Sequence, residues 1–353
     1  MNALFRLTAA VMIMFSGLAS SSVRANPVED FYKGKQINLI VGFGPGGGYD
    51  VYARLLAQYM SKFIPGKPPI IIHNMPGAGS LVAANYLYNV AAKDGTVMGT
   101  FGRDMILAAL LELGQGLQFD PKKFEWLGSM SSSADDAYLL YVRRESSVHS
   151  VADLEGPSSK LLKVGGTAGG AGADDLPALM REVLDFNLQI VSGYPDNNAL
   201  FLAFERGEID GMTDALSVLR VNRPNWLQSG GLIRPLVQFG RSTRHPDFPD
   251  VPTARELAKD DKTLRVIEMA ELPFLMSRPF TAPPGIPEDR AKALRDAFDA
   301  TLKDDTFLLD AKRLGVDIGG TSGEEIRTLV GKMSQEPEET RDWLKRVLSA
   351  SAN

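Results

Sequence analysis

The residues in this sequence best suited to chemistry are glycines that directly precede helical patterns. The segment FGPGGGYD, residues 43–50, lies between an apolar β-type run and a helix-like period. Glycine lets the backbone come close to a ligand, and the unpaired N–H groups at a helix start attract anions. Two or three charge-assisted hydrogen bonds would hold a small carboxylate. The segment is therefore predicted to bind an organic anion.

A second loop of the same kind, GGTAGGAGAD, occupies residues 165–174 in the other half of the chain. It lacks the lysine of a phosphate-binding P-loop and the serine of a nucleophile elbow. It does offer small residues and exposed amides before a helix. Two such helix starts predict a ligand held from both sides of a cleft.

Two other interpretations of the first loop stay open. Gly42, Gly44 and Gly47 fit the GxGxxG pattern of an NAD-dependent oxidoreductase. That motif also needs an acid at the end of the second strand to hold the ribose, and this strand ends in His73-Asn74. The loop could also be a plain turn without a ligand.

Several side chains near these loops are ambiguous. Arg103 follows the third predicted strand, so it could pair with a second ligand carboxylate or form a surface pair with Asp104. Phe43 and Tyr194 could pack on the carbon skeleton of a ligand or belong to the core. The acidic pairs at 135–136 and 174–175 suit acid-base work or a cationic ligand, but such pairs are more often helix caps or solvated faces.

Apolar periodicity supplies the elements that must position these residues. Three strand-loop-helix units fill residues 36–101, a second α/β unit follows from residue 137, and the last 65 or so residues have helical patterns. This order predicts an α/β fold with mostly parallel sheets covered by helices.

Composition narrows the function. The chain has 353 residues, 44% of them hydrophobic and 23% charged, which is typical of a globular protein of about two domains. A net charge of -5 argues against nucleic acid as a partner. The absence of cysteine excludes disulfides and thiolate sites, and the three histidines lack zinc-ligand spacing. No nucleophile and base form a recognisable arrangement. We therefore predict no catalysis, no metal and no cofactor.

Residues 1–25 have the layout of a secretory signal. A basic start is followed by an apolar run over residues 7–19 and by Val23-Arg24-Ala25, which offers small residues before a cut. A retained N-terminal anchor is the alternative. Export without cysteine predicts a bacterial periplasmic protein.

Four motifs, in order, resemble one family. FGPGGGYDVYAR is similar to the PFxPGGxxDxxAR segment of the tripartite tricarboxylate transporter receptors, the Bug periplasmic solute-binding proteins. NMPGAGSLVAANYLYNVAAKDGTVMGTF, PDFPDVPTARELA and FTAPPGIPEDRAKALRDAF resemble further segments of that family. The matches cover most of the chain, from about residue 36 to residue 320.

The resemblance implies a two-lobed Venus-flytrap fold of the type II periplasmic-binding class. Domain 1 would be residues 27–130 plus 240–353, and domain 2 would be residues 131–239. Loop amides and hydroxyls would hold the ligand carboxylate. The predicted ligand-binding residues, including the ambiguous side chains above, are Phe43, Gly46, Gly47, Gly48, Tyr49, Asp50, Arg103, Thr167, Ala168, Gly169, Gly170, Ala171 and Tyr194.

The resemblance also implies a monomeric receptor that captures a mono- or dicarboxylate and presents it to membrane transporter subunits. A signalling co-sensor without a transport role remains an alternative.

Overall fold

The computed structural model describes residues 26–132, 136–167 and 172–351. The predicted signal segment, one acidic residue of the pair at 135–136 and residues 168–171 of the second glycine loop lie outside these ranges. The described chain forms two α/β lobes, each built on its own sheet.

The sheet of lobe one has six strands in the order β11-β4-β10-β3-β1-β2. Their bounds are β1 Ile37–Val41, β2 Ile70–Asn74, β3 Val97–Thr100, β4 Glu125–Ser129, β10 Pro279–Ala282 and β11 Thr321–Ser322. β1 pairs in parallel with β2 and β3, whereas β10 enters antiparallel between β3 and β4. The sheet is therefore mixed, although most of its strands run one way.

The sheet of lobe two has five strands in the order β7-β6-β8-β5-β9. Their bounds are β5 Tyr138–Arg143, β6 Leu162–Gly165, β7 Leu188–Val191, β8 Gly211–Ala215 and β9 Ile233–Phe239. β6 pairs in parallel with β7 and β8, and β5 runs antiparallel to both β8 and β9.

Helices cover both sheets. Their bounds are α1 Pro27–Tyr32, α2 Gly48–Met60, α3 Leu81–Asn89, α4 Asp104–Leu110, α5 Gly172–Val183, α6 Asn197–Arg206, α7 Leu216–Asn222, α8 Asp261–Glu271, α9 Glu288–Leu302, α10 Asp305–Arg313, α11 Gly323–Gln335 and α12 Glu338–Ser351. Among the described residues, no helix is long and apolar enough to cross a membrane.

The strong periodic segments fold as predicted. α6 begins at Asn197 because the Asp196 side chain caps its start by accepting from the Ala199 amide, and it ends at Arg206 because Gly207 adopts the left-handed conformation. Sequence reasoning missed the strands β4, β10 and β11 and the helices α1, α4, α7 and α8. β4 and β10 are short and lie in proline-rich or aromatic surroundings, where periodicity carries little signal.

Helices α8 and α12 pack against lobe two. α12 packs on α5 and α8, and α8 also packs on α5. Helix α5 follows strand β6 of lobe two along the chain. One apolar cluster runs continuously from Leu87 and Phe101 in lobe one to Leu176 and Leu179 of α5 and to Leu344 of α12. α8 and α12 lie within the range predicted for domain 1, and that domain boundary stays a prediction.

Candidate ligand-binding cleft

A cavity of about 400 Å³ lies between the two lobes. Lobe one contributes Tyr49, Arg103 and Arg278 to its lining, and lobe two contributes Tyr138 and Asp214. The cavity is large enough for a small organic molecule. It is the place where the two predicted glycine loops were expected to meet.

Sheet topology explains why these side chains meet. Loops that follow parallel strands leave the sheet at the same edge, so the segments after β1, β2 and β3 converge. β10 is antiparallel to β3, with Phe280 opposite Thr100, so the residue before β10 reaches the edge where β3 ends. In lobe two, Tyr138 at the start of β5 pairs with Ala215 at the end of β8.

The first glycine loop is held by a buried carboxylate beneath it. Asp50, 1% exposed, lies in the first turn of α2, and its Oδ2 accepts hydrogen bonds from the Gly46 amide at 2.8 Å and from Arg54 Nε at 2.8 Å. Its Oδ1 accepts from Asn74 Nδ2 at 2.8 Å. Gly46 has a φ of 81°, a conformation that favours glycine. Asp50 therefore organises the loop from behind.

The environment of Asp50 keeps it ionised. Burial raises the pKa of this carboxyl group, but the hydrogen bonds from Arg54, Gly46 and Asn74 outweigh burial and lower the pKa to about 2. No side chain among the described residues caps the start of α2, where Gly47 is the N-cap. Gly46, Gly47 and Gly48 are exposed but are not among the described residues that line the cavity, to which this segment contributes Phe43 and Tyr49.

Phe43 and Tyr49 form an aromatic wall of the cavity. Their rings stack with centroids 4.3 Å apart. The Tyr49 hydroxyl donates to the Ser277 carbonyl at 3.2 Å and accepts from the Arg103 amide at 3.1 Å. Tyr49 therefore ties the first loop to the segments that carry both cleft arginines.

The described part of the second loop has the same construction as the first. Asp174, buried in the first turn of α5, accepts from the Thr167 amide at 2.7 Å and from the Ser192 hydroxyl. Residues 168–171 lie outside the described ranges, so Ala168, Gly169, Gly170 and Ala171 stay predictions. Tyr194 is half-buried and packs against the core of lobe two, and it is not among the described residues that line the cavity.

Arg103 lies inside the cleft and is 8% exposed. Its guanidinium lies 4.3 Å from the ring centroid of Phe274 and 5.7 Å from that of Tyr138, which belongs to the other lobe. Its Nε is 3.7 Å from Asp104, beyond hydrogen-bond distance, and has no hydrogen-bond partner among the described residues. Arg103 is therefore near Asp104 but is buried and not at the surface, and its predicted contact with a ligand carboxylate stays a prediction.

Arg278 is a cleft residue that sequence reasoning missed. Its guanidinium stacks over Tyr49 at 4.8 Å and over Tyr52 at 5.3 Å, while Nη1 donates to the Ser277 carbonyl at 2.8 Å. Its Nε is buried and has no hydrogen-bond partner within the described ranges. A side chain at Gly48 would lie 3.5 Å from Nη2, so Arg278 borders the glycine loop. No motif marked this arginine, because it precedes an antiparallel strand.

Lobe two places a buried acid opposite these arginines. Asp214 is 2% exposed. Its carboxylate accepts from the Ala215 amide at 2.8 Å and from Asn197 Nδ2 at 3.0 Å. Burial raises the pKa of Asp214 to about 7, although the Ala215 hydrogen bond opposes the shift. An aspartate within a strand is unusual, which is the one sequence signal that could have drawn attention to it.

In the described parts of the chain, no group of three or more His, Cys, Asp or Glu residues could hold a metal ion. The described lining of the cleft offers hydrogen-bonding groups, three guanidinium groups, four aspartates and aromatic surface.

Comparison with known proteins gives distant relatives over most of the chain. No protein-family model matches. The chain is 24% identical over 305 residues to the UPF0065 protein in gbd 5'region of Cupriavidus necator, covering 83% of each chain. It is 31% identical over 93 residues to the protein BugT of Bordetella pertussis, which is 26% of this chain and 27% of BugT.

Solved structures share the fold. A TctC solute binding protein from Polaromonas superposes with a TM-score of 0.66 at 18% identity, covering 90% of this chain and 99% of that one. MatC from Rhodopseudomonas palustris with bound malate gives a TM-score of 0.60 at 22% identity, covering 89% and 99% of the two chains. A protein from R. palustris with adipate gives 0.62 at 22% identity, with 88% and 97% covered.

These structures confirm the predicted fold class, a two-lobed periplasmic-binding-protein fold. The family motifs recur in the predicted order, and the relationship to the UPF0065 protein extends along most of both chains. The BugT match covers a shorter segment at higher identity. The chain is thus similar to these proteins over most of its length and shares their two-lobed fold.

Proposed function

We propose that this protein is a periplasmic receptor that closes its two lobes over a small organic carboxylate and delivers it to a tripartite tricarboxylate transporter. The observation that carries the proposal is the pair of arginines, Arg103 and Arg278, whose Nε atoms are buried in the cleft without hydrogen-bond partners among the described residues. A buried donor without an acceptor is costly. A ligand carboxylate supplies the missing acceptor.

The comparisons support this class of ligand. MatC binds malate, and the second R. palustris structure contains adipate. In our proposal the carboxylate lies against Arg278 and the exposed amides of the first glycine loop, with Arg103 close by. Phe43 and Tyr49 would pack against the carbon skeleton. The remaining predicted contacts come from Thr167 and from residues 168–171.

Closure follows from differential binding. A ligand that contacts lobe one through the arginines and lobe two through Tyr138 makes all its contacts only when the lobes are together. It therefore shifts the population toward the closed state by the difference in affinity between the two states. No catalytic step is needed for this function.

The location and partners of the receptor belong to the same proposal. The segment over residues 1–25 would direct export to the periplasm, and the mature monomer would present its ligand to membrane subunits. The co-sensor alternative predicts normal carboxylate uptake after deletion of the gene, whereas the transport role predicts that uptake is lost.

A thermal-shift screen of purified protein tests ligand capture. We expect at least one C3 to C9 carboxylic acid to raise Tm, because a ligand that binds only the folded state stabilises it by about 2.7 kcal/mol at one hundred times Kd. If sugars raise Tm while every acid leaves it unchanged, the carboxylate proposal is wrong. Recovery of the unchanged ligand by mass spectrometry is the expected result for a receptor, and a chemically altered ligand would indicate an enzyme.

A substitution at Gly47 tests the loop amides. Gly47 has an ordinary φ of -74°, and an added Cβ would meet only the Gly44 carbonyl at 3.6 Å. Gly47→Val should therefore leave Tm within about 1 °C of wild type, because exposed substitutions rarely exceed about 0.5 kcal/mol. Its branched side chain beside the N-cap amides should lower carboxylate affinity at least tenfold in calorimetry. Wild-type affinity would show that the loop does not touch the ligand.

A further inference from the structure

Both walls of the cleft carry charged groups. Lobe one presents Arg103, Arg278, Asp104 and Asp317, and lobe two presents Asp136, Asp214 and Arg220, which pairs with Asp247. Among the described residues that line the cavity there are three arginines and four aspartates. A cleft built only to hold a dicarboxylate would not need the acids, because each ionised acid repels a ligand carboxylate in a site of low dielectric.

The two acids of lobe two differ in how their oxygen atoms are used. The Asp136 carboxylate accepts hydrogen bonds from the amides of Ala137 and Ser217 and from the Ser217 hydroxyl. It holds the start of α7 in place. Asp214 accepts one amide hydrogen bond at each oxygen, from Ala215 and Asn197, although an ionised carboxylate has about four acceptor positions. Asp214 therefore keeps acceptor capacity and lines the cavity.

The free acceptor positions of Asp214 are not used by the two cleft arginines, Arg103 and Arg278. Arg103 lies against Asp104 and Arg278 donates to the Ser277 carbonyl, so neither forms a salt bridge with Asp214. The structure thus contains a buried acid facing two guanidinium groups across a cavity. A molecule that lies between them can pair with the acid at one end and with the guanidinium groups at the other only if its two ends differ in charge.

We propose that the cleft selects a small amphoteric acid, with its carboxylate on the arginines of lobe one and a hydrogen-bond-donating group, above all an ammonium group, on Asp214 of lobe two. This inference rests on the proposed receptor function and narrows its ligand class. Asp214 acts as a specificity-determining residue: it accepts a hydrogen bond from the ammonium end and repels a second carboxylate.

The proposal implies opposite pH dependences for two kinds of ligand. The charged and titratable groups that act on Asp214 are Asp136, Arg103, Arg278, Tyr138 and Tyr141. We expect Asp214 to change charge between pH 6 and pH 8.5, because burial raises its pKa to about 7. Ionisation as pH rises strengthens the attraction for an ammonium group and the repulsion of a carboxylate. An alkylammonium group has a pKa of about 10.4 and therefore stays charged throughout this range.

Calorimetry with three four-carbon probes tests the inference. Butyrate, succinate and 4-aminobutyrate share a carboxylate and differ only in the distal methyl, carboxylate or ammonium group. At pH 8.5 we expect 4-aminobutyrate to bind wild type at least tenfold more tightly than butyrate or succinate. Between pH 6 and pH 8.5 its affinity should rise about tenfold, following the ionised fraction of a group with a pKa near 7.

Asp214→Asn should abolish this selectivity. We expect the variant to lose at least tenfold in affinity for 4-aminobutyrate at pH 8.5, to bind succinate more tightly and to show no pH dependence over the range. Asp296→Asn is the matched control, because it removes the same charge from an exposed pair with Lys292 on α9, outside the cavity lining. The control should retain the wild-type order of the three probes.

The outcomes separate this inference from the proposed function. If wild type binds succinate or butyrate more tightly than 4-aminobutyrate at pH 8.5, or if Asp214→Asn leaves the order unchanged, the amphoteric ligand class is wrong while carboxylate capture stands. If none of the three probes binds and no acid in the thermal-shift screen does, both proposals fail. Should the variant not fold, the pH profile of wild type decides.

Discussion

Arg278→Met should weaken carboxylate binding about one hundredfold while leaving the fold intact. The guanidinium of Arg278 lies on Tyr49 and Tyr52 and borders the cleft, and its Nε has no hydrogen-bond partner among the described residues. Each charge-assisted hydrogen bond to a carboxylate contributes roughly 1.5–3 kcal/mol, and about 1.4 kcal/mol corresponds to tenfold in Kd. Methionine retains the apolar stem that packs on the tyrosines. Calorimetry with the acid found by the thermal-shift screen measures the loss.

Two further variants make this prediction specific. Arg278→Lys keeps the positive charge but loses the planar fork, so it should bind with intermediate affinity. Arg313→Met removes a charge from a side chain that is 68% exposed on α10, and it should bind as wild type does. Wild-type affinity in Arg278→Met would place the ligand carboxylate elsewhere and remove the main support for the proposed site.

Asp50→Ala should lower the free energy of unfolding by about 3 kcal/mol, because it leaves the Gly46 amide and the Asn74 side chain without their acceptor and Arg54 without its partner. For a chain of this size we expect a fall in Tm of roughly 6–12 °C. The glycine loop would also lose the support that fixes its amides, so ligand affinity should fall as well. Thermal unfolding monitored by circular dichroism measures the first effect.

The stability difference between wild type and Asp50→Ala should depend on pH. The pKa of Asp50 is lowered to about 2 in the folded protein, against an ordinary value of 3.8, mainly because hydrogen bonds outweigh burial. A lowered pKa stabilises the fold above the ordinary value, and that contribution is lost as pH falls from about 4 toward 2. The difference in Tm should therefore be full at pH 6 and smaller at pH 3.

Asp261→Ala is the control for this prediction. Asp261 also lies in the first turn of a helix, but it is exposed, so its loss should cost less than about 1 kcal/mol. An equal loss of stability in both variants would mean that the effect of Asp50→Ala comes from the loss of a carboxylate at a helix start and not from a special role of Asp50 in the loop.

The extent to which sequence predicted the fold depended on length and periodicity. α6 has ten residues and α9 has fifteen, and each combines an apolar face with a clear start, so such helices can be recognised from the sequence. β10 and β11 have four and two residues, and they exist because neighbouring strands offer them partners. No local pattern encodes such pairing.

The candidate site divides in the same way. The first glycine loop was recognisable because glycines before a helix have a local physical consequence. Arg278, which precedes β10, was not recognisable from the sequence. Its place in the cleft depends on an antiparallel strand inserted between β3 and β4. Asp214 of β8 faces Arg278 only because β8 ends, and β5 begins, at the cleft edge.

The sequence by itself determined the α/β class of this chain, its two glycine-rich helix starts and its motifs, which resemble those of a family of solute receptors. Each of these features depends on residues that are neighbours along the chain. Only the tertiary structure decided the chemistry of the cleft, two guanidinium groups on one wall and Asp214 on the other. The reason is physical: those residues are far apart along the chain, and their charges act on one another only where folding removes water and brings strand ends together.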